Sequence, residues 1–164
     1  PLNYPFILKL SPVKIYSPHP QQLDALAALF DAYRVFYRKE SDLQGSKVFL
    51  RERMEKKQSV VFVAEVDGDL VGFTQLYPLF SSTNMAKLWL LNDLYVQPEQ
   101  RGKAIGKALL KAAQDHCIAT QAKGISLETE KTNQIGNGLY PKMDFVCDDE
   151  HNFYYWENPS FSSS

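Results

Sequence analysis

Cysteine, histidine and net charge are all scarce in this sequence, and each scarcity removes a class of function. Two cysteines, Cys117 and Cys147, cannot frame a disulfide scaffold and show no CxxC spacing. They are expected to be reduced, semi-buried thiols. The three histidines, His19, His116 and His151, are scattered along the chain, so local spacing assembles no metal-ligand cluster and zinc hydrolysis drops out. No metal is expected. Eighteen basic against 19 acidic residues leave a formal net charge of -1, so no global field draws the protein to a phosphate backbone, and no nucleic acid partner is expected. No apolar run approaches the roughly 20 residues of a membrane span. The N-terminal PLNYPFILKLSP also lacks a signal-peptide cleavage pattern. A cytoplasmic protein with no membrane partner is the expectation.

What is present is enough for one packed core: 164 residues, 45% hydrophobic, 13% aromatic and 23% charged. A single domain is expected over residues 12–159, with 1–11 a flexible extension and 160–164 a disordered tail. After a short extended piece at 13–16, Pro18 and Pro20 stand where a helix begins. Leu23, Leu26, Ala27, Phe30 and Tyr33 then recur at helical spacing, to about Arg38. A weaker amphipathic stretch covers 47–57. Two β-rich runs, 59–66 and 70–77, flank Asp67-Gly68, a dipeptide suited to the positive φ of a tight hairpin. The apolar strand LWLLNDLYV lies at 88–96, a long helical pattern at 104–122, a strand at 125–130 and a helix at 133–143. Two β-rich pieces follow, around Phe145 and at 153–156. The order predicts an α/β fold: a mixed sheet with helices on its faces.

Between the strand at 88–96 and the next helix lies Gln100-Arg101-Gly102-Lys103-Ala104-Ile105-Gly106-Lys107. A strand-to-helix loop of small residues leaves backbone N–H groups unpaired and uncovered. The helix N-terminus adds about half a positive charge, and Arg101, Lys103 and Lys107 add cations. Such a loop can cradle phosphate, although it has neither P-loop nor GxGxxG spacing.

With its preceding strand the segment reads LNDLYVQPEQRGKAIGKALL. It resembles the acetyl-CoA motif of GNAT acetyltransferases, in which a strand ending Val-x-Pro is followed by Arg/Gln-x-x-Gly-x-Gly/Ala. Arg101, Ala104 and Gly106 occupy the three signature places. Ala104 stands where the family usually has glycine, a change tolerable if the backbone there is already helical. Downstream, Asn133 and then Gly138-Leu139-Tyr140-Pro141-Lys142-Met143-Asp144-Phe145 resemble the family's Asn followed by Ala-Leu-Tyr-x-Lys-x-Gly-Phe. Asp144 replaces a glycine, and aspartate tolerates positive φ at a helix end better than most residues.

The resemblance implies a GNAT-like fold, with a central mostly antiparallel sheet splayed between the fourth and fifth strands and about four flanking helices. It implies acetyl-CoA as co-substrate. The pantetheine arm would lie along the backbone of Leu94, Tyr95 and Val96, the pyrophosphate would meet Arg101, Gly102, Lys103, Ala104, Ile105, Gly106 and Lys107, and Asn133 would lie beside them. Transfer from a thioester to an amine needs a neutral amine, a polarised carbonyl and a proton for the departing thiolate. The Leu94 or Tyr95 N–H could polarise the carbonyl. Tyr140 matches the family's tyrosine that returns a proton to the CoA sulfur. Asp93 is the acidic candidate on the strand, as base, as anchor of the first helices or as partner of the acceptor's cation, and a water chain could equally deprotonate the amine.

By the same resemblance Tyr33, Phe36, Tyr37 and Phe80 line the acceptor pocket with Asn92, unless the aromatic stripe is simply core. Such rings favour a cationic or apolar acceptor. The LNDLYV strand and the early YRVFY look closer to the polyamine and small-amine branch than to the ribosomal-protein enzymes. The leading expectation is direct acetyl transfer to a primary amine of a small molecule. The alternatives are a protein or peptide lysine or N-terminal amine, and a non-catalytic acyl-CoA-binding module. His116 is expected to pack, and the aromatic FYYW at 153–156 leads to the expectation of a homodimer.

Overall fold

The computed structural model describes residues 12–161. In chain order they form β1 (Lys14–Tyr16), α1 (Leu23–Phe36), α2 (Leu43–Glu55), β2 (Val60–Val66), β3 (Asp69–Ser81), β4 (Ala86–Val96), α3 (Ile105–Ala119), β5 (Ile125–Leu127) and α4 (Gln134–Leu139), with short 3₁₀ turns at Pro20–Gln22, Pro98–Gln100 and Tyr140–Met143. The extension expected at 1–11 lies outside the described residues, as do the last three residues of the expected tail.

Leu26, Ala27, Leu29 and Phe30 give α1 its buried face. The helix ends at a turn organised by Asp31. That carboxylate accepts from Ser41 Oγ at 2.6 Å, the Asp42 N–H at 2.7 Å, Ser46 Oγ at 3.4 Å and Arg34 Nη1 at 3.5 Å. Burial pushes its pKa up, but the hydrogen bonds from Ser41 and Asp42 and the Arg34 charge hold it below the usual carboxylate range. Asp42 in turn caps α2, accepting from the Gly45 N–H at 2.8 Å. This cap starts the helix at Leu43, earlier than its apolar periodicity indicated.

The sheet order is β1-β2-β3-β4-β5, antiparallel except for the last pair. Asp67 and Gly68 turn the β2–β3 hairpin with φ of 54° and 91°, the positive pair that matches the strand twist. β3 and β4 form a longer hairpin than sequence periodicity indicated, paired out to Ser81↔Ala86. The crossover through α3 makes β4 and β5 parallel, as βαβ connections do.

Two layers of core follow from strand alternation. On one face Leu26, Phe30 and Leu50 pack on Val61, Val63, Phe73 and Tyr95. On the other, Ile105, Leu109, Leu110 and Ala113 of α3 cover Ala64, Val71, Leu76, Trp89 and Leu91. His116 packs as expected, 4.8 Å from the Trp89 ring and 5.7 Å from Phe62, and burial pushes its pKa down. Cys117 is buried and Cys147 exposed.

The two last strands anticipated near Phe145 and at 153–156 are not formed. Phe145 is tied instead to the end of the preceding helix: its N–H donates to the Tyr140 carbonyl at 3.2 Å and its ring meets the Tyr140 ring edge-on. Phe153, Tyr154, Tyr155 and Trp156 are each at least three-quarters exposed. Four consecutive aromatics have no alternation to give one buried face, and β5 stops at Leu127, short of the expected 130, offering little edge for them.

Candidate active site

β4 continues to Val96, but its last pair with β5 is Leu91↔Leu127. From Asn92 onward the outer edge of β4 therefore faces a gap. The gap opens into a cleft of about 890 Å³ bounded by Leu91 to Val96, by residues 100–107 and by residues 128–142. Asp93 alone in that stretch of β4 is missing from the lining.

At one end of the cleft stands the N-terminus of α3. Gly102 has φ 77° and Ala104, the N-cap, φ 61°, so the chain turns through two left-handed residues before the helix begins. Ala104 is not in helical conformation as anticipated: it occupies the region where glycine is favoured, at a cost of about 1 kcal/mol. The first intrahelical bond runs from Ala108 N–H to Ala104 O at 3.1 Å. The N–H groups of Gly102 to Lys107 find no acceptor among the described residues, leaving a row of backbone donors beside the cleft. Lys107 lines it. Arg101 also lines it, but its Nε donates to Val96 O at 3.0 Å and its guanidinium lies 5.6 Å from the Phe36 ring centre and 5.9 Å from that of Tyr95. Lys103 donates to Gln100 Oε1 at 2.8 Å and stays out of the lining. A Cβ on Gly106 would stand 3.2 Å from Leu139 Cδ2, so the end of the Leu139 side chain would shift slightly to admit one.

The middle of the cleft belongs to Tyr140. Asn133 caps α4, its Oδ1 accepting from the Gly136 N–H at 3.1 Å and its Nδ2 donating to Thr129 Oγ1 at 2.9 Å. That cap fixes the short helix whose end presents Tyr140 to the cleft. Asp144 ends the following turn with φ 63°, the left-handed role expected of it. Burial, and then the neighbouring Tyr37, pushes the Tyr140 pKa up to about 12, so at neutral pH its hydroxyl holds its proton.

Tyr33, Phe36, Tyr37 and Asn92 line the cleft together. Tyr33 meets Tyr37 edge-on at 5.0 Å and donates its hydroxyl to Asn92 O at 3.3 Å. Phe80 is not there: it lies on the distal part of the long β3–β4 hairpin, 80% exposed. Glu128, Thr129 and Glu130 also line the cleft, which sequence reasoning missed. Their signal was the ETE that closes the 125–130 run, where the expected strand is instead cut short and its last residues turn into the cleft. Glu130 pairs with Arg38 at 2.6 Å, and Glu128 has no ion-pair partner among the described residues. Asp93 is only 3% exposed and is enclosed by Gln75 and Asn92. Among the described residues no group of His, Cys, Asp and Glu is arranged to hold a metal ion.

A family model described as the acetyltransferase (GNAT) family matches residues 26–145. An uncharacterized N-acetyltransferase of Bacillus subtilis strain 168, YhfO, is 48% identical over 124 residues, spanning 76% of this chain and 83% of its own length. The spermine/spermidine N(1)-acetyltransferase of the same strain is 28% identical over 134 residues, 79% of this chain and 87% of its own. The crystal structure of a protein described as a probable acetyltransferase aligns with a TM-score of 0.85 and 34% identity, over 90% of this chain and 99% of that one.

Proposed function

This chain belongs to the GNAT acetyltransferase family, and on that premise we propose that it transfers acetyl from acetyl-CoA directly to a primary amine of a small, cationic, polyamine-like molecule. One observation carries the cofactor half of this reading: the row of unaccepted N–H groups from Gly102 to Lys107 at the start of α3, open to the cleft. A pyrophosphate fits it by charge and by hydrogen-bonding chemistry. Lys107 adds a cation, and the unpaired edge of β4 at Leu94, Tyr95 and Val96 can pair with the amides of a pantetheine arm. The acceptor half rests on the rings of Tyr33, Phe36 and Tyr37 beside Glu128 and Glu130, a combination that favours an ammonium. The resemblance to a spermine/spermidine acetyltransferase points the same way.

Acetyl-CoA supplies an activated acetyl group; the acceptor nitrogen gains a bond to the acetyl carbon as the carbon–sulfur bond breaks. The backbone N–H of Leu94 or Tyr95 polarises the carbonyl. The acceptor's ammonium loses its proton through water in the cleft. Tyr140, protonated at neutral pH, delivers a proton to the sulfur and recovers one from solvent. The reading includes a pair of chains joined through the exposed aromatics at 153–156.

Gly106→Asp tests the phosphate cradle. A carboxylate about 4 Å from a pyrophosphate charge at an effective dielectric of about 20 is repelled by roughly 4 kcal/mol. Calorimetry should therefore show acetyl-CoA affinity falling by at least about a hundredfold. Gly106→Ala, which meets Leu139 equally but carries no charge, should bind nearly as the parent does. Equal affinity in folded Gly106→Asp removes the cradle.

A further inference from the structure

We infer that Asp93 is a positioning residue, which holds an inserted residue at Asn92 and so sets the part of β4 that faces the thioester; the inference rests on the acetyltransferase reading. Across the β3–β4 pair, Gln75 stands opposite Asp93 but Leu76 opposite Leu91, so Asn92 is the extra residue of a bulge. The last residue of β4 paired with β5 is Leu91, immediately before it. The insertion thus falls where the sheet splays. It also changes the phase of the strand. Leu91 packs against the α3 face, whereas Asp93, two residues on, lies near Tyr33, and Tyr95, four residues on, shares the α1 face with Phe73.

The bulge is held almost wholly through Asp93. Gln75 Nε2 donates to Asp93 Oδ2 at 2.7 Å, Asn92 Nδ2 to Asp93 Oδ1 at 3.0 Å, and Thr74 Oγ1 to Asp93 O at 2.8 Å. Tyr33 fastens the inserted residue by its carbonyl. Gln75 and Thr74 are fully buried and Asp93 nearly so. Two features make this arrangement expensive. Among the described residues no cation faces the carboxylate; the titratable groups around it are Tyr33, Tyr37 and Tyr77. With its nitrogen on Asp93, Gln75 leaves Oε1 buried without a hydrogen-bond partner. Only a carboxylate offers acceptors to both amides at once; an asparagine there forces one of them to turn away. The side chain does not reach the cleft, so it acts through Asn92 and the backbone that follows.

Burial raises the Asp93 pKa. The stability tied to its protonated form is present below the ordinary carboxylate value and is lost as pH rises through the raised one. Asp93→Asn should therefore gain in melting temperature relative to the parent as pH rises from 4 to 8.

The test compares Asp93→Asn, Gln75→Met and the double variant. Each single variant should lower kcat by about a hundredfold, the scale of a misplacement near 1 Å, with acetyl-CoA affinity within about threefold. The double variant should be no worse than the worse single. Hydrogen exchange at the amides of residues 92–96 should quicken in all three. A kcat within twofold of the parent in folded Asp93→Asn and Gln75→Met overturns the inference. If Asp93→Asn does not fold, Gln75→Met decides. If the parent turns over no amine, the acetyltransferase reading fails separately, and exchange decides: unchanged rates at 92–96 overturn the positioning role, and quickened rates support it.

Discussion

Tyr140 and Asp93 carry the two ionisable groups on which the proposed chemistry turns, and burial raises the pKa of both. The outcomes are opposite in use. A phenol pushed up to about 12 stays a proton donor at working pH, while a carboxyl enclosed by amides is a fastening. Tyr140→Phe deletes the hydroxyl and keeps the ring against Phe145, so packing and acetyl-CoA affinity should survive. General acid catalysis is worth about a hundredfold to ten-thousandfold, and a thiolate needs the least help, so the chemical step should slow by about a hundredfold. Single-turnover rates on a confirmed amine check it; kcat and kcat/KM fall together while KM for acetyl-CoA holds, and a step within twofold of the parent shows that Tyr140 is not the acid. Tyr140, Asn133 and the 101–107 loop were legible in the sequence because their motif is contiguous. Phe80 was misplaced and Glu128 and Glu130 were missed, because where a hairpin ends and where a strand stops depend on pairing partners that local periodicity does not encode.

Among the elements, α3 is the one whose start decides the site, and its cap is strained. Ala104 holds φ 61° with no side-chain cap, whereas glycine takes that conformation freely. Relief of about 1 kcal/mol, less the greater freedom glycine has when unfolded, leaves Ala104→Gly more stable by roughly 0.5 kcal/mol. Chemical denaturation should read that gain, with acetyl-CoA affinity equal or tighter; a destabilised variant contradicts the strain. The long elements were legible from their periods: α1, α3, the Asp67-Gly68 hairpin and β4. α2 was placed late because its start is fixed by the Asp42 cap rather than by apolar spacing. The final strands were anticipated from β-rich composition and from the alternation of Phe153 with Tyr155, neither of which supplies the neighbouring edge a strand requires.

At the scale of the whole molecule, one face remains unexplained by the single chain. Phe153, Tyr154, Tyr155 and Trp156 stand exposed beyond the sheet, and apolar surface of this kind is normally covered. Light scattering at micromolar protein should give twice the 18.7 kDa chain mass, and a monomer mass contradicts pairing through this run. The cleft nevertheless is assembled from one chain, and its proposed work is to move acetyl from acetyl-CoA to an amine. Thiol release measures that most directly, with acetyl-CoA in excess and an acceptor panel of a monoamine, spermidine, an amino acid and a lysine peptide. Thiol release should depend on the amine, match the acetylated product one for one and be fastest with spermidine. Saturable acetyl-CoA binding with no amine-dependent thiol release from any member of the panel would contradict it.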